Sequence, residues 1–95
     1  MSDIPPFSNF YIKTFTATDD TVWRFEDNPN IVLESMNICC YTNDAYFGNS
    51  IAVPAIIRAN AVVWFDAACR PFDFMFKNLA AGSNTTIVIY GPLKR

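Results

Sequence analysis

The sequence contains no histidine, the residue that most often acts as the general base in nucleophilic catalysis. A Ser-His-Asp or Cys-His arrangement is therefore excluded. Its three cysteines, Cys39, Cys40 and Cys69, include no C-x-x-C pair, so the common cysteine and histidine ligand sets for zinc are also missing. We assign no catalytic, metal-binding or cofactor-binding residue, and we predict a protein that is not an enzyme and uses no cofactor.

Phosphate-binding and calcium-binding loops are also absent. Gly82 and Gly91 belong to no phosphate-binding pattern, because no helix is predicted to begin after either of them. No D-x-[DN]-x-[DN]-G segment occurs. The acidic pairs Asp19-Asp20 and Glu26-Asp27 lie in predicted turns, where carboxylates commonly bind nearby backbone amides rather than act as a catalytic pair.

Charge of either sign is scarce. Only 17% of the residues are charged, the net charge is −2, and most of the seven lysines and arginines are isolated from one another. Nucleic-acid binding requires clustered positive charge, so we predict no nucleic-acid partner. The N-terminus lacks the basic and apolar regions of a signal peptide, and no apolar run approaches a membrane span. We expect the chain to be cytosolic at synthesis and to have no membrane partner.

The cysteines form a poor disulfide framework, because their number is odd and two of them are adjacent. Neighbouring residues in a strand point to opposite faces, so Cys39 and Cys40 cannot pair with each other there. We expect all three to be free and mostly buried, as in a reducing compartment.

Apolar residues, in contrast, are abundant. Of the 95 residues, 52% are hydrophobic and 16% are aromatic. A chain of this length forms one domain and buries only about 60–65% of its unfolded surface. The composition therefore predicts that part of the surface contacts a partner, and we expect a homo-oligomer or attachment to another protein.

The apolar pattern predicts an all-β protein, because turn signals recur every ~8–12 residues and no helical periodicity lasts for ten. We expect a single antiparallel β-sandwich or barrel, jelly-roll-like, with about six to eight strands. The domain would span residues 7–91, between an extended arm at residues 1–6 and a loose tail at 92–95. The predicted strands cover residues 7–18, 21–26, 31–42 with a change of face near Ser35, a short strand ending at Val53, 57–65, 72–77 and 85–90.

The last quarter of the chain has the clearest alternation. Phe72, Phe74 and Phe76 would share the buried face of a strand, with Asp73, Met75 and Lys77 on the opposite, solvated face. A turn around Gly82 would lead into the Thr85–Tyr90 strand, which would complete a hairpin and stop at Gly91-Pro92.

Two sets of apolar residues are candidates for binding. Trp23, Trp64 and the tyrosines either fill an aromatic core or form a sugar-stacking platform, and the core is the simpler interpretation. The arm residues Ile4, Pro5, Pro6 and Phe7 either contact a neighbouring chain or cover the edge of their own sheet. We take these four, together with Tyr46 and Phe47, as the candidate interface.

The segment "IRANAVVWFDAACRPFDFMFKNLAAGSNTTIVIYG", residues 57–91, resembles the C-terminal half of small β-rich virion proteins of tailed bacteriophages. The shared features are a strand that ends in an aromatic and an acid, an aromatic-x-aromatic-x-aromatic-Lys-Asn strand, a small Ala-Gly-Ser-Asn turn and a final Val/Ile strand closing in glycine. The resemblance implies a capsid decoration or cement protein that binds the major capsid protein or other virion proteins. It also implies a trimer, and assembly into virions in the cytoplasm of a bacterial host. A tail or head–tail connector component, or a carbohydrate-binding β-sandwich module, is the alternative.

Overall fold

The chain folds into eight β-strands, as seen in a computed structural model that describes residues 9–18, 21–48, 55–80 and 84–94. The strands are β1 (Phe10–Ala17), β2 (Trp23–Arg24), β3 (Met36–Tyr41), β4 (Ala45–Gly48), β5 (Ala55–Ile57), β6 (Val62–Phe65), β7 (Met75–Asn78) and β8 (Thr85–Pro92). They form two four-stranded antiparallel sheets, which confirms the predicted all-β sandwich. The front sheet has the order β1-β8-β3-β6 and the back sheet β2-β7-β4-β5.

The strand pairing follows one simple rule. β1 pairs with β8, β2 with β7, β3 with β6 and β4 with β5, so the chain resembles one long hairpin whose tip lies between β4 and β5. Rolling that hairpin up adds the pairs β3–β8 and β4–β7, which complete the two sheets. This is the arrangement of a jelly roll, a fold of eight strands in two packed sheets.

The predicted hairpin at the end of the chain is wrong. β7 lies in the back sheet and β8 in the front sheet, so these consecutive strands do not pair with each other. The strand also begins later than expected, because Pro71–Asp73 forms a 3-10 turn that includes Phe72. Proline fixes its φ angle near the value found in such turns. This local preference outweighs the alternation of apolar and polar residues that would otherwise extend the strand back to Phe72.

The predicted strand at residues 57–65 is interrupted. β5 belongs to the back sheet and β6 to the front sheet, and the chain crosses between them at residues 58–61. Asn60 has a positive φ of 66°, which asparagine tolerates better than most residues. Asp44 fixes the crossing, since its carboxylate accepts hydrogen bonds from the Ala59 backbone N–H and the Arg58 guanidinium, both at 2.8 Å.

Aromatic rings fill much of the space between the sheets. Phe15 stacks on Trp23 with ring centroids 4.2 Å apart, and Trp23 stacks on Phe76 at 5.1 Å. Phe76 in turn packs on Phe25 and Phe47. The expected core position of Trp23 is therefore confirmed, Phe25 is fully buried beside it, and Phe76 lies at the centre of the stack.

The predicted change of face near Ser35 is confirmed. Leu33 and Met36 are both fully buried although they are three positions apart, an odd spacing that would put them on opposite faces of a regular strand, so the alternation must shift between them. Leu33 forms isolated bridges with Cys69 and Leu93. Gly91 lies against the Ser35 carbonyl. Even the Cβ atom of an alanine at this position would overlap that oxygen.

The chain end is more ordered than predicted. β8 continues through Gly91 to Pro92, and the backbone N–H groups of Leu93 and Lys94 donate to Asn9 and Val32. The prediction of a loose tail from residue 92 is therefore wrong for residues 92–94. Pro92 fits because its missing N–H is not needed for pairing with Phe10 of β1.

The cysteines are free thiols. Cys39 and Cys40 are buried and Cys69 is half-buried, as expected. The predicted arm and its residues Ile4, Pro5, Pro6 and Phe7 lie outside the described part of the chain.

Candidate interaction surface

Among the described residues, the four strands of the front sheet direct no charged side chain to the outer side of that sheet. We call this surface the front face. Its side chains come from alternate positions of all four strands. They are Phe10, Ile12, Thr14 and Thr16 of β1; Thr86, Val88, Tyr90 and Pro92 of β8; Asn37, Cys39 and Tyr41 of β3; and Val62 and Trp64 of β6.

Exposed hydrophobic side chains are concentrated on this face. The described residues include six large hydrophobic side chains that are exposed to solvent, and five of these, all except Ile56, belong to the front face. Ile12 is 68% exposed, Trp64 67% and Val62 52%. A solvated antiparallel sheet normally alternates apolar and polar residues, so an outer face of this kind indicates a contact surface.

The strand register places the two most exposed of these hydrophobic side chains, Ile12 and Trp64, in one row across the sheet. Ile12 lies opposite Tyr90, Tyr90 opposite Asn37, and Asn37 opposite Trp64. The row crosses the whole front sheet, with an exposed apolar side chain at each end. The Phe10 ring extends it, with its centroid 6.1 Å from that of Tyr90.

Hydroxyl groups occupy one end of the front face. The Thr16 and Thr86 hydroxyl oxygens are 3.1 Å apart and share a hydrogen bond. Tyr41 lies beside them across the sheet. The pKa of Tyr41 is raised above its ordinary value, first by the electrostatic interaction with Cys39, and a phenol is in any case neutral near pH 7.

The outer side of the back sheet has a different chemistry. Tyr46, Ile56 and Lys77 form one cross-strand row, and Met75 and Arg24 belong to the next. The Arg24 guanidinium lies 4.0 Å from the centre of the Phe72 ring. This surface therefore combines apolar side chains with cations, and it lacks the uncharged character of the front face.

Tyr46 and Phe47, the two interface candidates in β4, are adjacent residues whose side chains point to opposite faces of the back sheet. Tyr46 is half-buried on the outer side of the back sheet, and its role in binding stays a prediction. Phe47 points inward and stacks on Phe76 at 6.3 Å, so it contributes to the packing between the sheets. Ile4 to Phe7 cannot be compared, because they lie outside the described residues.

The single charge of β1 is directed away from the front face. Lys13 lies on the inner side, where its ammonium is 3.3 Å from Glu26, and the Tyr11 hydroxyl donates to the same carboxylate oxygen at 2.7 Å. The other Glu26 oxygen accepts the Asn28 backbone N–H. Burial alone would raise the pKa of Glu26, but these hydrogen bonds together lower it below its usual value. The cluster is fully hydrogen-bonded, which indicates a structural role.

A shallow open depression lies at one end of the sandwich, lined by Thr42, Asn43, Asp44, Ala59, Leu79 and Ala80. Its acid is already engaged, since both Asp44 oxygens accept hydrogen bonds across the β5–β6 crossing. The depression therefore offers no free group for acid–base chemistry.

Sequence patterns alone do not reveal the front face as a unit. The sequence of β1, FYIKTFTA, places apolar residues on both of its sides, and this is the available signal for Ile12 as a surface residue. Trp64, a core candidate by sequence, lies on the surface in the structure. Its alternation with Val63 and Phe65 cannot show which side of the strand faces the other sheet.

No family model, curated protein or solved structure matches this chain. Among the described residues, no helix is long and apolar enough to cross a membrane. The same part of the chain contains no group of three or more histidine, cysteine, aspartate or glutamate side chains that could hold a metal ion.

Proposed function

We propose that the protein is a non-catalytic structural protein that attaches to a larger protein assembly through its front face. The observation that carries the proposal is the concentration of five of six exposed large hydrophobic side chains on one uncharged sheet surface. The partner surface would be equally uncharged and mainly apolar, because a charge facing this surface would be desolvated without a counter-charge.

We propose further that the assembly is the head of a tailed phage, with the major capsid protein as the contact. Support for this step comes from the resemblance of residues 57–91 to small virion proteins. Jelly rolls are found in viral capsid proteins, lectins and cupins, so the fold agrees with the proposal but does not choose among these classes. The protein would act as a decoration or cement protein, adding buried apolar area between neighbouring capsid subunits. A tail or connector contact would use the same face.

Burial of the front face supplies the attachment energy. Fully burying a side chain such as Ile12 contributes about 1.5–3 kcal/mol, and buried tryptophans are common hot spots of protein interfaces. Trp64 and Ile12 stand at opposite ends of one row, so a flat partner surface could cover both at once.

The test uses purified particles of the virus that encodes the chain, with the protein removed from them. We expect wild type to rebind and to be detected in the native particle by mass spectrometry. Trp64→Glu should weaken rebinding by about thirtyfold, the equivalent of a ~2 kcal/mol hot spot. Lys77→Glu, on the outer side of the back sheet, is the matched control and should bind as wild type does. Absence of the protein from native particles would disprove the phage assignment, and equal binding by both variants would disprove the role of the front face.

Carbohydrate binding is a second candidate, favoured by the exposed Trp64 in a row with Asn37 and Tyr90. Stacking on an aromatic ring and hydrogen bonds from an amide and a hydroxyl are the contacts that a sugar ring requires. Trp64 is exposed and the Trp23 ring is stacked between Phe15 and Phe76, so a neutral quencher should reach one of the two indoles. Saturable protection of that fluorescence by a soluble glycan, lost in Trp64→Ala, would favour the lectin-like function over protein attachment.

A further inference from the structure

Among the described strands, β1 is an edge of the front sheet, and no other strand pairs with one side of its backbone, which we call the free side. The Leu93 N–H donates to the Asn9 carbonyl at 2.7 Å, so Asn9 and Leu93 form a hydrogen-bonded pair at the start of the β1–β8 ladder. Such pairs alternate along an antiparallel ladder. Odd-numbered residues of β1 therefore bond to β8, while Phe10, Ile12, Thr14 and Thr16 direct their N–H and C=O groups to the free side.

The usual protections of an edge strand are weak in β1. It is eight residues long, contains no proline, and pairs with β8 in an unbroken register without a bulge. Its one charge, on Lys13, is bound to Glu26 and lies on the inner side. No other backbone hydrogen bond among the described residues reaches the free side of the strand.

We infer that two copies of the chain pair their β1 strands antiparallel about a two-fold axis at Thr14, which joins the two front sheets into one eight-stranded sheet. Thr14 would pair with Thr14 of the second copy, and Ile12 with Thr16. Two hydrogen bonds per residue at Ile12, Thr14 and Thr16 give about six across the axis. The inference goes beyond the proposed function; the pairing of the β1 edges does not depend on that function, whereas the benefit of a larger front face does.

The side chains favour this register over the axis at Lys13, the other on-residue axis near the middle of β1. A strand partner must keep inner residues opposite inner residues, so the axis can fall on a residue but not between two residues. An axis at Lys13 would place two lysines directly opposite each other, which is destabilising. An axis at Thr14 places Lys13 opposite Phe15 and brings two threonines together, a favourable cross-strand pair.

The area of the front face favours a second copy as the occupant of this edge. The four strands lie about 4.8 Å apart and contain eight, eight, six and four residues, so their outer surface has a footprint of roughly 400 Å². A stable protein interface buries about 800 Å² on each partner. Joining two front sheets doubles the area of the uncharged surface. The two β1 strands have equal length, so each covers the free side of the other.

Thr14→Pro provides the first test, with Thr14→Val as its matched control. Proline at position 14 removes an N–H that points away from β8, so the β1–β8 ladder and the melting temperature should be kept. In light scattering at high micromolar concentration, wild type and Thr14→Val should have twice the monomer mass of 10.7 kDa, and Thr14→Pro should be a monomer. A wild type that is monomeric or trimeric would overturn the inference.

Cysteine cross-linking provides a second test that needs no disruptive change. The Thr14 Cα atoms of the two copies would be about 5.5 Å apart, within disulfide range. The Thr16 Cα atoms would be about 13 Å apart, because each Thr16 pairs with an Ile12 four residues away. Oxidised Thr14→Cys should form a covalent dimer, and oxidised Thr16→Cys should not exceed the wild-type background. Equal cross-linking of the two variants would reject this register. A monomer that still binds particles through Trp64 would reject the dimer and leave the proposed function intact.

Discussion

At the scale of single residues, Glu26 links β1 to the turn that follows β2. Its buried carboxylate accepts hydrogen bonds from Tyr11, Lys13 and the Asn28 backbone, which together lower its pKa. In the unfolded chain the pKa is that of an ordinary glutamate, about 4.3. The folded state therefore gains stability above that pH, and this gain is lost as the pH falls through the lower folded pKa.

We predict that Glu26→Gln loses about 1–2 kcal/mol of unfolding free energy at pH 7, because the half-buried Tyr11 and Lys13 side chains lose their charged partner and solvent replaces it only in part. Below about pH 4 the difference from wild type should shrink, because wild type then loses the same contribution. Urea denaturation at several pH values measures both effects. Asp27→Asn, at the exposed neighbouring acid, is the control. A Glu26→Gln deficit that stays constant down to about pH 3 would contradict this account.

Gly91 is the residue at which β8 passes closest to another backbone segment. A Cβ at this position would overlap the Ser35 carbonyl oxygen, and a backbone atom cannot move aside as a flexible side chain can. We predict that Gly91→Ala lowers the unfolding free energy by about 1–3 kcal/mol through overpacking. Asn84→Ala, at an exposed position just before the same strand, should change it by less than about 0.5 kcal/mol. Equal stability of the two variants would show that the Ser35 segment is easily displaced.

At the scale of elements, the β5–β6 crossing shows how one acid fixes the path between sheets. Asp44 binds the Ala59 backbone N–H and the Arg58 side chain, and these hydrogen bonds lower its pKa. The backbone contact holds the crossing, whereas exposed ion pairs contribute little.

We therefore predict that Asp44→Ala lowers the melting temperature more than Arg58→Ala does, because only the first change removes the bond to Ala59. Differential scanning calorimetry measures both. An equal loss in the two variants would mean that the ion pair, rather than the backbone contact, fixes the crossing.

The same elements show what sequence patterns can and cannot predict. Alternation predicts strands at β1, β3 and β8, and the mixed faces of residues 31–42 correctly indicate a shift near Ser35. Alternation does not show which sheet a strand joins, because that depends on partners far along the chain. It therefore predicts a hairpin of β7 and β8, although their partners include β2 and β1 at the opposite end of the chain.

At the scale of the whole molecule, composition predicts a partner, and the structure shows where the surplus apolar residues lie. Two sheets of four strands have four faces but only two can face the core. Large hydrophobic side chains on the outer side of β1, β3 and β6 therefore stay exposed in a single chain. The sequence can indicate this surplus, but the location of the front face requires the strand register.

The central claim, that the front face is the attachment surface, is tested most directly by hydroxyl-radical footprinting of the free and the particle-bound protein. Front-face side chains Trp64, Tyr90 and Phe10 should be strongly protected in the bound state. Tyr46 and Met75, on the outer side of the back sheet, should be labelled equally in both states. Protection of Tyr46 and Met75 with unchanged labelling of Trp64 would contradict the account and would place the attachment surface on the back sheet.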